Sequence, residues 1–171
     1  MHFSKFRFLI LWIGAVGGLL FLSGCVNTPP YVYRYRPGYS ATVENGLAVA
    51  PARAPEVVRR AIDAGNRIAG LPYKYGGGHR YENDSGYDCS GAVSYVLRES
   101  GLMRGSMTSS GFRSYGRSGE GKWITVYASN GHVFLVVADL RFDTSYGTGA
   151  KGPKWTTKNR PNRKYRLRHA G

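Results

Sequence analysis

A cysteine stands where the sequence predicts the start of a buried helix. Cys89 lies in the run Tyr-Asp-Cys-Ser-Gly, and apolar residues then recur at helical spacing until Gly101. Asp88 is a favourable N-cap, and the unpaired N–H groups of a first helical turn promote ionisation of a thiol. This placement predicts a reactive nucleophile. Two other interpretations remain open, namely a small core residue and a disulfide to Cys25.

A nucleophilic thiol needs a base, and His132 is placed to provide one. It opens a predicted buried strand, so its imidazole would lie at one end of a sheet, where the first turn of a packed helix also lies. An imidazole there can take the thiol proton and later protonate a leaving amine. His79, on the glycine-rich loop before Cys89, is the competing base. A purely structural role for His132 is the other alternative.

The hydropathy pattern predicts two helices followed by a set of strands that position these residues. A helix is expected from Pro55 to about Ala69, and a second one from Cys89 to about Ser100. Strands are expected over 123–128, 133–138, 141–145 and 165–169. Helices that precede strands indicate an α+β domain, in which the helices pack on a small antiparallel sheet and the candidate nucleophile begins a helix.

The first 25 residues have the features of an export signal. A short basic stretch precedes an uncharged apolar segment over 8–22, which is too short to span a bilayer comfortably. The end, Leu-Ser-Gly-Cys, resembles the lipobox of bacterial lipoproteins, which implies cleavage before Cys25 and its diacylation. Because Val26 is not Asp, the same resemblance implies an outer-membrane lipoprotein that faces the periplasm. An uncleaved N-terminal anchor with a chance cysteine is the alternative.

These observations divide the chain into three parts. We expect a lipoprotein signal peptide over 1–24, a lipidated tether over 25–53 and a folded domain over 54–171. The tether is rich in proline and shows no sustained apolar period.

The composition limits the classes of function. The 171 residues carry a formal charge of +14, which first suggests a nucleic-acid partner. Export argues against that partner, and loss of Lys5 and Arg7 with the signal leaves +12 facing the anionic lipids and wall polymer of an envelope. Two cysteines and four separated histidines argue against a disulfide scaffold and a metal site. We expect a monomer without cofactor or metal.

Three segments within residues 54–145 resemble the NlpC-type cell-wall cysteine peptidases, a papain-like family, and they occur in that family's order. They are Leu71–Gly77, Asp88–Gly91 and Gly131–Val133. The resemblance implies a papain-like fold and a catalytic thiolate at Cys89 paired with His132. It implies a substrate and oxyanion pocket at Tyr73, Ser90 and the backbone N–H of Cys89. The implied reaction is cleavage of amide bonds in peptidoglycan stem peptides, next to γ-linked D-glutamate or at a diaminopimelate cross-link.

The residue that orients the histidine is open between two neighbours. The family has a His, Asn or Gln on the strand after the hairpin, and the ungapped register gives Thr144, whereas Asp143 lies one position earlier. A carboxylate is the better partner for an imidazole N–H, because it fixes the tautomer and stabilises the cation. A one-residue slip turns a strand over, so only one of the two can face His132. The chemistry favours Asp143.

Three functions are compatible with these patterns. The first is a lipid-anchored peptidoglycan endopeptidase that uses Cys89, His132 and Asp143. The second is an inactive envelope lipoprotein whose basic surface binds peptidoglycan or another anionic polymer. The third keeps the thiol chemistry in an amidase or acyltransferase that acts on another exported substrate. The loop Met103–Gly121 and the tail after Tyr146 have no clear counterpart in the family.

Overall fold

The computed structural model describes residues 29–80, 83–145, 149, 151–161 and 165–171. The predicted signal peptide over 1–24 and the predicted lipidation site Cys25 lie outside the described residues. Within the described ranges, the helices lack the combined length and apolar character that crossing a membrane requires.

In these ranges the chain forms two α-helices, α1 at Glu56–Ile68 and α2 at Cys89–Glu99, and a 3-10 helix at Gly111–Ser114. The strands are β1 (Thr42–Glu44), β2 (Leu47–Val49), β3 (Arg117–Ser118), β4 (Ile124–Ala128), β5 (Val133–Val137), β6 (Leu140–Asp143), β7 (Lys154–Thr156) and β8 (Arg166–His169). β1 and β2 form a hairpin, and the other six strands form one antiparallel sheet in the order β3-β8-β4-β5-β6-β7. The fold is therefore mixed helix and sheet, of the α+β class.

One face of the six-stranded sheet forms the main core with the two helices. The apolar stripe of α2 is buried, including Val93 and Val96, and α2 contacts β5. On β5, Val133 and Leu135 are fully buried in the same core cluster. Phe134, on the opposite face, is also fully buried. Burial on both faces explains why β5 is a continuous apolar run in the sequence.

The second face of the sheet is partly covered by residues 29–41, which precede β1 and are called the arm below. Tyr31 is buried there against Tyr127 and Phe134. The backbone of Tyr31 forms an antiparallel bridge with Arg160, with both N···O distances at 3.0 Å. Part of the segment predicted as a tether over 25–53 is thus packed on the folded domain: Tyr31 lies on the sheet, and Ala48 of β2 is buried in the main core beside α1. The buried side chains of this segment are isolated aromatic and small residues, and they therefore produce no apolar period in the sequence.

The hairpin between β5 and β6 determines which side chains of β6 face the arm. Its two turn residues, Ala138 and Asp139, both have positive φ, at 46° and 64°, as a tight two-residue hairpin requires. Two side chains of the arm, Arg36 and Ser40, hold the Asp139 carboxylate at 2.6–3.0 Å. The register pairs Val136 with Arg141 and Leu135 with Phe142. Because side chains alternate along a strand, Asp143 lies on the same face as Arg141, and Thr144 points the other way.

Candidate active site

The N-terminus of α2 places Cys89 at the first helical position. Asp88 is the N-cap, and its carboxylate accepts a hydrogen bond from the backbone N–H of Gly91 at 2.7 Å. The Cys89 side chain is half-buried and forms no disulfide with any described residue. A thiol at this position lies within the positive end of the helix dipole. Both the capping residue and the helix that the sequence predicts for this cysteine are therefore present.

The glycine-rich loop before α2 lies directly against this helical turn. The backbone N–H of Asp88 donates to the Gly77 carbonyl at 3.2 Å, and Gly76 donates to the Asp88 carboxylate at 2.9 Å. A Cβ added to Gly91 would lie 1.8 Å from the Gly77 carbonyl oxygen, so no side chain fits there. The glycines allow two backbones to approach, and that approach fixes the position of Cys89.

His132 lies at the end of the β4–β5 turn, immediately before β5. Its backbone is held by Ser129, whose hydroxyl accepts from the His132 N–H at 3.1 Å and whose N–H donates to the His132 carbonyl at 2.8 Å. The ring Nε2 lies 2.8 Å from Oδ1 of Asp143. Since Nε2 is committed to the carboxylate, Nδ1 is the nitrogen available to the thiol of Cys89, which is close enough to raise the pKa of the imidazole.

The electrostatics of His132 favour the imidazolium. Burial opposes a charge on the ring, but the hydrogen bonds and charges of Asp143 and Cys89 outweigh burial and raise the pKa of His132 from 6.5 to about 9. The side chain is 18% exposed, so solvent screens these interactions little. At neutral pH the ring therefore carries a proton. Its positive charge can stabilise a neighbouring thiolate, and the proton can later pass to a leaving amine.

Asp143 is fully buried, and both of its carboxylate oxygens accept hydrogen bonds. Oδ1 accepts from His132 and also from the backbone N–H of Ser145 at 2.9 Å. Oδ2 accepts from Nη1 of Arg160 at 2.7 Å, and Nε of Arg141 lies 3.6 Å away. A buried carboxylate needs such partners to remain charged. The surrounding cations thus hold in place the group that orients His132.

Thr144, the other candidate for the orienting position, follows the last residue of β6. Its side chain points away from His132, because neighbouring side chains of an extended chain lie on opposite faces. It is 1% exposed, and its Oγ1 has no hydrogen-bond partner in the part of the chain that the structure describes. The structure brings Asp143, and not Thr144, to the imidazole.

Tyr73 lies close enough to Cys89 for their charges to interact. Burial, and then the charges of Cys89 and Asp88, raise the pKa of Tyr73 above its ordinary value. The phenol is therefore protonated at neutral pH and able to donate a hydrogen bond beside the thiol.

Ser90 and His79 form a separate cluster around the N-cap. The Ser90 hydroxyl donates to Oδ1 of Asp88 at 2.9 Å and lies 3.2 Å from Nε2 of His79. The same His79 nitrogen lies 3.2 Å from Asp88 Oδ1. The competing base is thus engaged by the capping carboxylate. The Ser90 hydroxyl is buried and supports the cap in this structure, and its role in a substrate pocket stays a prediction.

Sequence reasoning missed three side chains that surround the imidazole and its carboxylate. Tyr165 packs edge-on against the His132 ring, with centroids 6.4 Å apart, and its hydroxyl accepts from Arg160 at 3.0 Å. Arg160 also donates to the carbonyl of Ser145. The spacing of Arg141 and Asp143 by two residues on a predicted strand is the one signal that was available, since it places both on one face.

The described residues include no group of three or more His, Cys, Asp or Glu side chains arranged to hold a metal ion. Comparison with known proteins adds no relatives: no family model matches the chain, and no curated protein shows significant similarity to it. The geometry of the site and the sequence motifs are therefore the basis for assigning a function.

Proposed function

We propose that this protein is a peptidoglycan endopeptidase, a cysteine hydrolase of the NlpC type with a papain-like fold. The observation that carries the proposal is the hydrogen bond from His132 to the buried carboxylate of Asp143, together with Cys89 at the first turn of α2, which is close enough to raise the pKa of His132. Nucleophile, base and orienting group in this order form the arrangement that amide hydrolysis by a thiol requires. The lipoprotein-type N-terminus predicted from residues 1–25 supports a substrate in the cell envelope.

Acylation begins with the Cys89 thiolate and the His132 imidazolium as a pair. The sulfur attacks the carbonyl carbon of a stem-peptide amide, and the carbonyl oxygen becomes an oxyanion. The backbone N–H of Cys89, at the positive end of α2, is oriented by the helix to stabilise that charge. His132 then gives its proton to the leaving amine, the C–N bond breaks, and a thioester remains on Cys89.

Deacylation uses the same groups in reverse. Neutral His132 takes a proton from water, the hydroxide oxygen attacks the thioester, and the new carboxylic acid leaves as the thiolate re-forms. Asp143 keeps the ring oriented and stabilises the imidazolium in both steps, because its carboxylate is bound to Nε2 at 2.8 Å. The protonated phenol of Tyr73 supplies a hydrogen-bond donor next to the sulfur.

Digestion of purified muropeptides, followed by mass spectrometry of the products, tests the proposal. We expect the wild-type protein to break the stem peptide and Cys89→Ala to release no product. Cys25→Ser is the matched control, because it removes the other cysteine and leaves the site intact, so cleavage should persist. Release of a whole stem would instead identify an amidase. Wall binding without any cleavage by the wild type would identify an inactive envelope lipoprotein and overturn the enzyme assignment.

A further inference from the structure

A cavity of about 370 Å³ lies beside the proposed active site, on the arm side of the sheet. Its walls include Arg141, Lys158, Arg160 and Tyr165. Tyr165 connects this cavity with the site, because its ring also packs against the His132 imidazole. Arg160 forms a second connection, since it binds the carboxylate that orients His132.

Among the described residues, the cations around the cavity exceed the anions that face them. Arg141 is 2% exposed, and its Nε and Nη1 have no hydrogen-bond partner among the described residues. Its nearest carboxylate, Asp143, is 3.6 Å from Nε, which is too far for a hydrogen bond, and is already shared by Arg160 and His132. Lys158 adds a further positive charge at the exposed wall.

Such a surplus is costly in a buried environment. A charged guanidinium without a hydrogen-bond partner loses its hydration without compensation, and aromatic rings replace only part of it. The Arg141 guanidinium lies 5.7 Å from the ring centroid of Tyr31 and 5.9 Å from that of Phe134. Burial accordingly lowers the pKa of Arg141. An anion in the cavity would offset this cost by lying close to the positive charges of Arg141 and Arg160, and a carboxylate is such an anion.

We propose that the cavity lined by Arg141, Lys158 and Arg160 binds a free carboxylate of the substrate peptide. This inference rests on the proposed function, since stem peptides supply carboxylates that flank the cleaved amide. The carboxylate would bring the substrate against the wall formed by Tyr165 and so set its position relative to the imidazole. The cavity would then select stem peptides whose side carboxylate is free over those in which it is amidated.

Binding to the Cys89→Ala protein tests the proposal without turnover. The probes are the tripeptide L-alanyl-γ-D-glutamyl-diaminopimelate and versions of it in which each carboxylate in turn is a carboxamide. Calorimetry should show that amidation of one carboxylate weakens binding by about tenfold or more. The Nε–H signal of Arg141 in the NMR spectrum should shift with the acid and not with that amide.

Charge removal at the cavity wall supplies the matched comparison. Lys158→Gln, at an exposed position that the fold tolerates, should weaken binding of the acid by about threefold and leave that of the amide unchanged. Lys122→Gln removes the same charge from an exposed position that does not line this cavity and should change neither.

Equal binding of every amide and the acid, or no binding of the acid, overturns the cavity assignment. Cleavage of stem peptides regardless of amidation would overturn it while leaving the proposed function standing. If the acid binds more tightly than the amide but the wild type cleaves neither, the cavity assignment stands and the proposed function is overturned.

Discussion

Replacement of Asp143 by Asn removes the negative charge next to His132 and keeps the size of the side chain. In the wild type, Asp143 and Cys89 raise the pKa of His132 from 6.5 to about 9, which corresponds to roughly 3 kcal/mol of net stabilisation of the imidazolium after the cost of burial. Asp143 is bound to the ring at 2.8 Å and contributes both a hydrogen bond and a negative charge. Loss of that charge in Asp143→Asn should therefore lower the pKa of His132 by about one unit or more.

NMR titration of the His132 ring protons measures this change, with the signal assigned from its absence in His132→Gln. We expect a midpoint of about 9 in the wild type. Activity should therefore fall as the pH rises through about 9, because the neutral ring cannot protonate the leaving amine. In Asp143→Asn both the midpoint and this alkaline limb should move down by at least one unit, and activity should fall by roughly 10²- to 10⁴-fold. An unchanged midpoint in the variant, or a wild-type midpoint at 6.5, would refute the reasoning.

Two further variants separate the charge of Asp143 from its structural role. Asp143→Asn also leaves two arginines short of a partner and should lower the free energy of unfolding by about 3–5 kcal/mol, so circular dichroism must show that the titrated protein is folded. Asp143→Glu keeps the charge but displaces it by one methylene, and should give an intermediate pKa of His132. Thr144→Val is the matched control: it removes a buried hydroxyl that has no described partner and should leave the pKa at about 9.

Two predictions concern the backbone that holds the site. Gly91→Ala should lower the free energy of unfolding by more than about 2 kcal/mol in a denaturant titration, because the added Cβ would lie 1.8 Å from the Gly77 carbonyl oxygen. Gly131→Ala is the control, since no described atom lies within 4 Å of the added Cβ, and it should change the free energy of unfolding by less than about 0.5 kcal/mol. Equal effects of the two would show that the close approach is not needed. Tyr31→Phe should cost about 1–3 kcal/mol in the same assay, because the phenol pairs with the backbone N–H of Arg141 at 3.1 Å and with a carbonyl of the β5–β6 turn at 2.8 Å. A neutral result there would place the arm outside the cooperative fold.

The elements that carry the site were accessible from the sequence because each has a strong local signal. α2 has a capping aspartate, an apolar stripe and a terminating glycine, and its observed span, Cys89–Glu99, lies within one residue of the prediction. β5 is an apolar run directly after His132. The preference for Asp143 over Thr144 came from the chemistry of the imidazole N–H, and the observed register places the carboxylate at the ring.

The features that sequence reasoning missed depend on contacts between distant parts of the chain. Arg160 reaches Asp143 across 17 positions, and Tyr31 reaches Arg141 across 110. The strands β1, β2, β3 and β7 have two or three residues each, too few to show a period. The hydrogen bond from the Ser90 hydroxyl to the capping carboxylate was also missed, because a hydroxyl next to a nucleophile can turn toward either the cap or a substrate.

The rate at which iodoacetamide alkylates Cys89 at pH 7 tests most directly whether His132 activates this thiol. Mass spectrometry of the Cys25→Ser protein, in which Cys89 is the remaining cysteine, follows that single reaction. The Cys89–His132 pair predicts alkylation about tenfold or more faster than that of free cysteine, with the advantage lost in His132→Gln. Alkylation no faster than free cysteine, or equally fast in His132→Gln, would contradict the pairing on which the proposed catalysis depends.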